Sequence, residues 1–255
     1  GDRAAERQYL DTEDGGEPIV IENDTNDIGQ SGVRVDYKGW SQFFVGIDHI
    51  VGHGGEGDDI IDASALAGVT VHFSGGRGRD KLIAGEAGGI LEGGADSDTL
   101  DASSAAVNAV EIYGWKQDDR NGSGDTYDLD GDDTLIGGSG NDRLYGAKGD
   151  DLLQAGGGYD LLIGGVGTDR LEGGSGWDRY YFGDYSGQDQ FIDTSGISIL
   201  DLRYVNNNLS GSVSSTNVEF DFLGGGFSNA WSDGVVLSSR FGEMDLKVYD
   251  ESANS

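Results

Sequence analysis

The chain has 255 residues, with 47 glycines, one proline and no cysteine, and its net charge is −31 with a pI near 4.1. Such charge repels nucleic acid and anionic membrane surfaces, so neither is an expected partner. No run approaches the roughly 18 apolar residues of a membrane span, and so much glycine excludes long helices. The absence of cysteine rules out disulfides and fits a protein stabilised by metal in their place. No secretory signal peptide is visible, and the chain begins with Gly1, so it reads as a piece of a longer protein.

Residues 1–18 are polar and acidic and read as either a short helix over 3–10 or a frayed terminus. Residues 19–22 read as a first strand. In 33–37, Val33, Val35 and Tyr37 alternate with polar residues, which predicts a half-buried strand. A further strand is expected over 43–50, with Trp40, Phe43 and Phe44 capping an open end.

A repeat begins at 54–62, GGEGDDIID, which carries Asp59 at its sixth place and Ile61 at its eighth. Residues 62–80, DASALAGVTVHFSGGRGRD, have a weaker copy at 101–119, DASSAAVNAVEIYGWKQDD. Val71 aligns with Val110 and Phe73 with Ile112, so both read as coils in which a plain strand replaces one glycine turn; 33–37 is a possible third relative. Residues 75–83, GGRGRDKLI, repeat fully. Residues 84–92 have Gly89 where the aspartate should be, and 93–101 have Asp96 where a glycine should be. Asp59, Asp80 and Asp98 are expected to stack on the side opposite Gly89. Residues 116–127 are expected to join two blocks and break the phase.

From 128 to 181 six nine-residue units follow without a gap: DLDGDDTLI, GGSGNDRLY, GAKGDDLLQ, AGGGYDLLI, GGVGTDRLE, GGSGWDRYY. The sixth place is always aspartate: Asp133, Asp142, Asp151, Asp160, Asp169 and Asp178. The eighth is always large and apolar: Leu135, Leu144, Leu153, Leu162, Leu171 and Tyr180. Glycine opens backbone angles that a Cβ forbids, and places seven to nine form a short strand whose middle residue points inward. Each unit is then half a coil, and units eighteen residues apart stack about 4.8 Å from each other. This puts Asp133, Asp151 and Asp169 in one column and Asp142, Asp160 and Asp178 in another. Two carboxylate columns need a cation, and a cage of hard oxygens suits calcium better than magnesium or zinc. One buried leucine per nine residues does not offset the ordering entropy of those residues, so metal binding is expected to be part of folding.

These units resemble the RTX nonapeptide repeat, G-G-x-G-x-D-x-U-x, over roughly residues 50–193. The resemblance implies an all-β fold, a right-handed parallel β-roll with short flanking strands that cap it. It also implies that each calcium ion sits between stacked turns. One site would join Gly137, Ser139 and Asp142 to Gly156, Gly158 and Asp160. Another would join Gly146, Lys148 and Asp151 to Gly165, Gly167 and Asp169. The same implication extends to Gly149, Gly174, Gly176, Asp178 and Asp189, and to about eight calcium ions in all, which would leave a net charge of about −15. The organisation read from this is 1–46 as an N-terminal strand segment, 47–127 as an irregular repeat block, 128–193 as the regular roll and 194–255 as a β-rich cap. Within that cap, strands are predicted near 199–205, 218–223, 234–237 and 244–249.

Catalytic motifs are missing. There is no H-E-x-x-H, G-x-S-x-G or Walker motif, and a lone G-x-G-x-x-G from Gly52 to Gly57 opens a repeat instead of a helix. Asp128–Asp133 imitates the start of an EF-hand loop but lacks its glycine and its final glutamate. His49, His53 and His72 read as surface residues. The expected function is non-catalytic: a calcium-dependent folding module of a secreted bacterial adhesin, toxin or surface protein, exported by a type I secretion channel. An accessory domain of a secreted protease, lipase or epimerase is the alternative, as is a module that grips a glycan or cell-surface ligand through 194–255.

Overall fold

The structure is a computed structural model that describes residues 18–106, 108–115, 131–183 and 189–196, then the strand segments 198–204, 210–214, 217–222, 225–230, 235–238 and 247–248. Every regular element among them is a strand. The strands form two long sheets that run along the two walls of a β-solenoid. One wall stacks Ile60–Asp62, Lys81–Ile83, Thr99–Asp101, Thr134–Ile136, Leu152–Gly158, Arg170–Gly176 and Gln190–Gly196 in parallel. The other stacks His49–Glu56, Thr70–Arg77, Gly89–Ala95, Glu111–Tyr113, Arg143–Lys148, Leu161–Val166, Arg179–Gly183 and Ser198–Tyr204.

The core is one file of side chains from each wall. Ile61, Leu82, Leu100, Leu135, Leu153, Leu171 and Phe191 come from the first, and Phe73, Leu91, Ile112, Leu144, Leu162 and Tyr180 from the second; all are buried. The eighth place of each repeat therefore points inward, as the two-residue strand period requires. At the C-terminal end Tyr180 meets Phe191 edge to face at 5.6 Å. Its hydroxyl accepts from Gly173 N–H and donates to the Ile192 carbonyl.

The N-terminal segment differs from expectation. Strands β1 (Ile19–Thr25), β2 (Ser31–Tyr37) and β3 (Trp40–Phe44) form an antiparallel meander, and β1 joins it to the solenoid by pairing Ile19 with Ile61. Residues 33–37 are thus no relative of the solenoid coils. Tight turns decide this, because a parallel coil needs a long crossover. At Lys38 and Gly39 both φ angles are positive, the signature of a two-residue hairpin turn. The single strand expected over 43–50 is broken between Phe44 and β4 (His49–Glu56), where Gly46 takes a positive φ. Val35, Tyr37, Ile47 and Ile50 pack against the end of the core, whereas Trp40, expected to cap it, lies on the edge strand and is 44% exposed.

The two repeat blocks are one continuous solenoid. Gly93 packs against the Gly114 carbonyl and Gly114 against the Gly146 carbonyl and the Asp133 carboxylate. Gly114 therefore opens the turn that Gly131, Asp132 and Asp133 close. Residues 116–130, expected in part to join the two blocks, lie outside the described residues.

Candidate metal centre

On one edge of the roll the sixth-place aspartates form a single ladder. The amide N–H of each donates to Oδ1 of the aspartate one turn later: Asp59 to Asp80, Asp80 to Asp98, Asp98 to Asp133, Asp133 to Asp151, Asp151 to Asp169 and Asp169 to Asp189, at 2.7–3.1 Å. On the opposite edge the ladder is shorter: Val110 to Asp142, Asp142 to Asp160 and Asp160 to Asp178. The two sequence-derived columns are thus both present. Asp59, Asp80 and Asp98 extend the first of them without interruption.

The second column starts late because its earlier turns are apolar. Ala63, Leu66, Ala84, Ala102 and Ala105 are buried there, and they fill the interior that carboxylates occupy further along. Backbone hydrogen bonds close these turns, from Leu66 N–H to Ala63, from Gly88 N–H to Gly85 and from Ala105 N–H to Ala102. Ser139, expected beside a cation, donates its N–H to the Ala105 carbonyl, where the apolar turns meet the acidic ones.

All ten ladder aspartates are buried. The Oδ2 atoms of Asp80, Asp160 and Asp169 are enclosed and accept no hydrogen bond, a costly state for a carboxylate without a counter-charge. Burial pushes the carboxyls up, to about 7 for Asp80 and Asp160, about 6 for Asp169 and about 8 for Asp189; the adjacent carboxylates add to the rise. Asp142 is also raised by burial, against hydrogen bonds from Gly138 and Val110.

Glycine makes room for these groups. A Cβ on Gly137 would lie 2.7 Å from Asp142 Oδ2 and 2.5 Å from the Ala155 carbonyl. At the second and fourth places the stacked turns are nearly in contact. Gly156 faces the carbonyl of Gly138, Gly158 that of Gly140, Gly165 that of Ala147 and Gly167 that of Gly149. Gly156 and Gly158 pair in turn with Gly174 and Gly176. The structure thereby brings 137–142 against 155–160 and 146–151 against 164–169, with Lys148 level with Val166. Among the described residues no three acidic or imidazole side chains converge on one point. Carbonyls must therefore supply much of any ion's shell, which again fits calcium.

Sequence reasoning missed a second ladder at the fifth place, which runs in the opposite direction. Asp58 accepts from Arg79 N–H, Asp132 from Asp150 N–H, Asp150 from Thr168 N–H and Asn141 from Tyr159 N–H; Ser97 Oγ accepts from Asp132 N–H. The Arg79 amide and guanidinium hold the Asp58 carboxyl below its ordinary range. The available signal was the doublet, Asp-Asp or Asn-Asp, in four repeats. His72, read as a surface residue, is half-buried with Nε2 3.5 Å from the buried Glu92 carboxylate. No described helix is long and apolar enough to cross a membrane.

The family model described as the RTX calcium-binding nonapeptide repeat matches four segments: residues 46–65, 72–100, 127–162 and 160–184. The unmatched residues 101–126 include one of the apolar turns. No curated protein matches the chain. With stacked parallel turns, buried aspartate ladders and this match together, the repeat region belongs to the RTX calcium-binding repeat family and forms its β-roll.

Proposed function

We propose that the chain is a calcium-dependent folding module of a large secreted bacterial protein, with no catalytic role of its own. The ladder of buried carboxylates, several with an unsatisfied Oδ2, carries this reading. Each pair of vertically adjacent aspartates marks one ion, which gives six ions on the long edge and two on the short one. Sixth-place carboxylates and the carbonyls of the first four places would hold them. Extracellular modules bind calcium at roughly 10⁻⁴–10⁻³ M. At cytosolic calcium the chain stays unfolded, suited to export through a type I channel, and outside the cell mass action folds it.

The host is an adhesin, toxin or surface protein in this reading, with 194–255 capping the solenoid and available to a glycan or cell-surface ligand. A secreted enzyme carrying this piece as an accessory domain fits the same residues. Native mass spectrometry in calcium tests the stoichiometry. Eight ions bound to the folded chain support the assignment; two or fewer would overturn it.

A further inference from the structure

Fifth-place residues in the acidic turns are mostly short acceptors that hold the next turn's amide. Two stacked turns on the short edge depart from this. Tyr159 and Trp177 stand there, one rung apart, and are 65% and 59% exposed. Tyr159 offers no acceptor from its own fifth-place position, and Trp177 N–H turns back to the Gly158 carbonyl at 3.2 Å. The pair thus replaces a structural hydrogen bond with two large apolar rings in solvent, which gains nothing for the roll itself.

The ring centroids are 6.4 Å apart and the planes are tilted by 54°. A flat ligand can stack on only one of two such faces. A compact cation can approach both, since attraction extends to about 6 Å from a ring centroid. Among the described residues, Lys38 lies over Tyr37, and no lysine or arginine covers Tyr159 or Trp177. With about eight calcium ions bound the net charge is still about −15, which favours a cation and disfavours an anion.

We propose that Tyr159 and Trp177 form a two-ring site for a quaternary ammonium group, of the trimethylammonium class found in choline. The site goes beyond calcium-dependent folding and needs only that the two turns be stacked.

The test uses the whole chain in calcium, with its β-structure verified first by circular dichroism, so that a folding failure is recognised before any binding is read. Choline is titrated against its uncharged isostere 3,3-dimethylbutan-1-ol, with sodium chloride as the ionic-strength control, and binding is followed by calorimetry. Two rings should favour the cation by roughly five- to thirtyfold. Tyr159→Asn should abolish binding without lowering the melting temperature, because the new side chain offers Trp177 N–H the acceptor that Asn141 gives Tyr159. Capture on phosphatidylcholine vesicles would place the ammonium in a lipid headgroup, and binding of free choline alone would place it in a soluble ligand. Equal affinity for the isostere, tighter binding of a neutral disaccharide, or unchanged choline binding in Tyr159→Asn would overturn the proposal.

Discussion

Ala147 and Gly156 hold the same second place in successive repeats, and exchanging them should move stability in opposite directions. Ala147 has φ +92°, a region that L-residues avoid. A left-handed backbone costs a non-glycine residue about 1–2 kcal/mol. Glycine's greater freedom in the unfolded chain offsets about 0.4–1 kcal/mol of that. Ala147→Gly should therefore gain about 0.5–1 kcal/mol, or about 1–4 °C in Tm for a chain of this size. Gly156 has φ +106°, and a Cβ there would run into the Gly138 carbonyl, a backbone atom that cannot swing aside. Gly156→Ala combines backbone strain with a clash and should cost more than about 2 kcal/mol, a fall of at least about 4 °C. Thermal melts followed by circular dichroism at one saturating calcium concentration read both. An unchanged or lower Tm in Ala147→Gly would refute the reasoning, because the stacked turns would then not impose that backbone.

Asp151 shares two vertical pairs, so Asp151→Ala should raise the calcium needed for folding; Asp151→Asn, which keeps an acceptor for Asp133 N–H, should raise it less. A folding midpoint unchanged in both would show that the ladder does not mark the ions. Asn141→Ala deprives Tyr159 N–H of its acceptor at 2.9 Å and should cost about 0.5–1.5 kcal/mol, read as a lower Tm, while Asn141→Asp stays near wild type. In chelator, pH should act on the buried carboxyls. Their folded pKa values lie above the unfolded carboxylate value, so the folded state binds more protons, and apo stability is lost as pH rises through about 6 to 8. In calcium the sign reverses, because protons compete for the ligands. A chelated chain with more β-structure at pH 8 than at pH 5 would contradict this.

The regular repeats were legible because three constraints act at fixed places: glycine at the turn, aspartate at its end and an apolar residue inside. Asp133, Asp151 and Asp169 fell into one column by counting alone. The turn that opens at Gly114 was hidden, because 128–136 imitates a complete repeat and only stacking shows which glycine lies against Asp133. The apolar turns around Leu66 and Ala105 conveyed a missing cation site but not their own packing, which depends on the turns of the adjacent coils. Asn141 looked interchangeable in sequence; its partner, the Tyr159 amide, is eighteen residues distant. The β1–β3 meander was misread because alternation marks a strand without giving its direction, which the Lys38–Gly39 turn decides.

The central claim is that cations complete the buried carboxylate ladders and thereby fold the roll. Far-UV circular dichroism during a calcium titration, with magnesium as the control, tests it most directly. A cooperative rise in β-structure with calcium and none with magnesium is the expected result. A β-rich spectrum in chelator at neutral pH, unchanged by calcium, would contradict it.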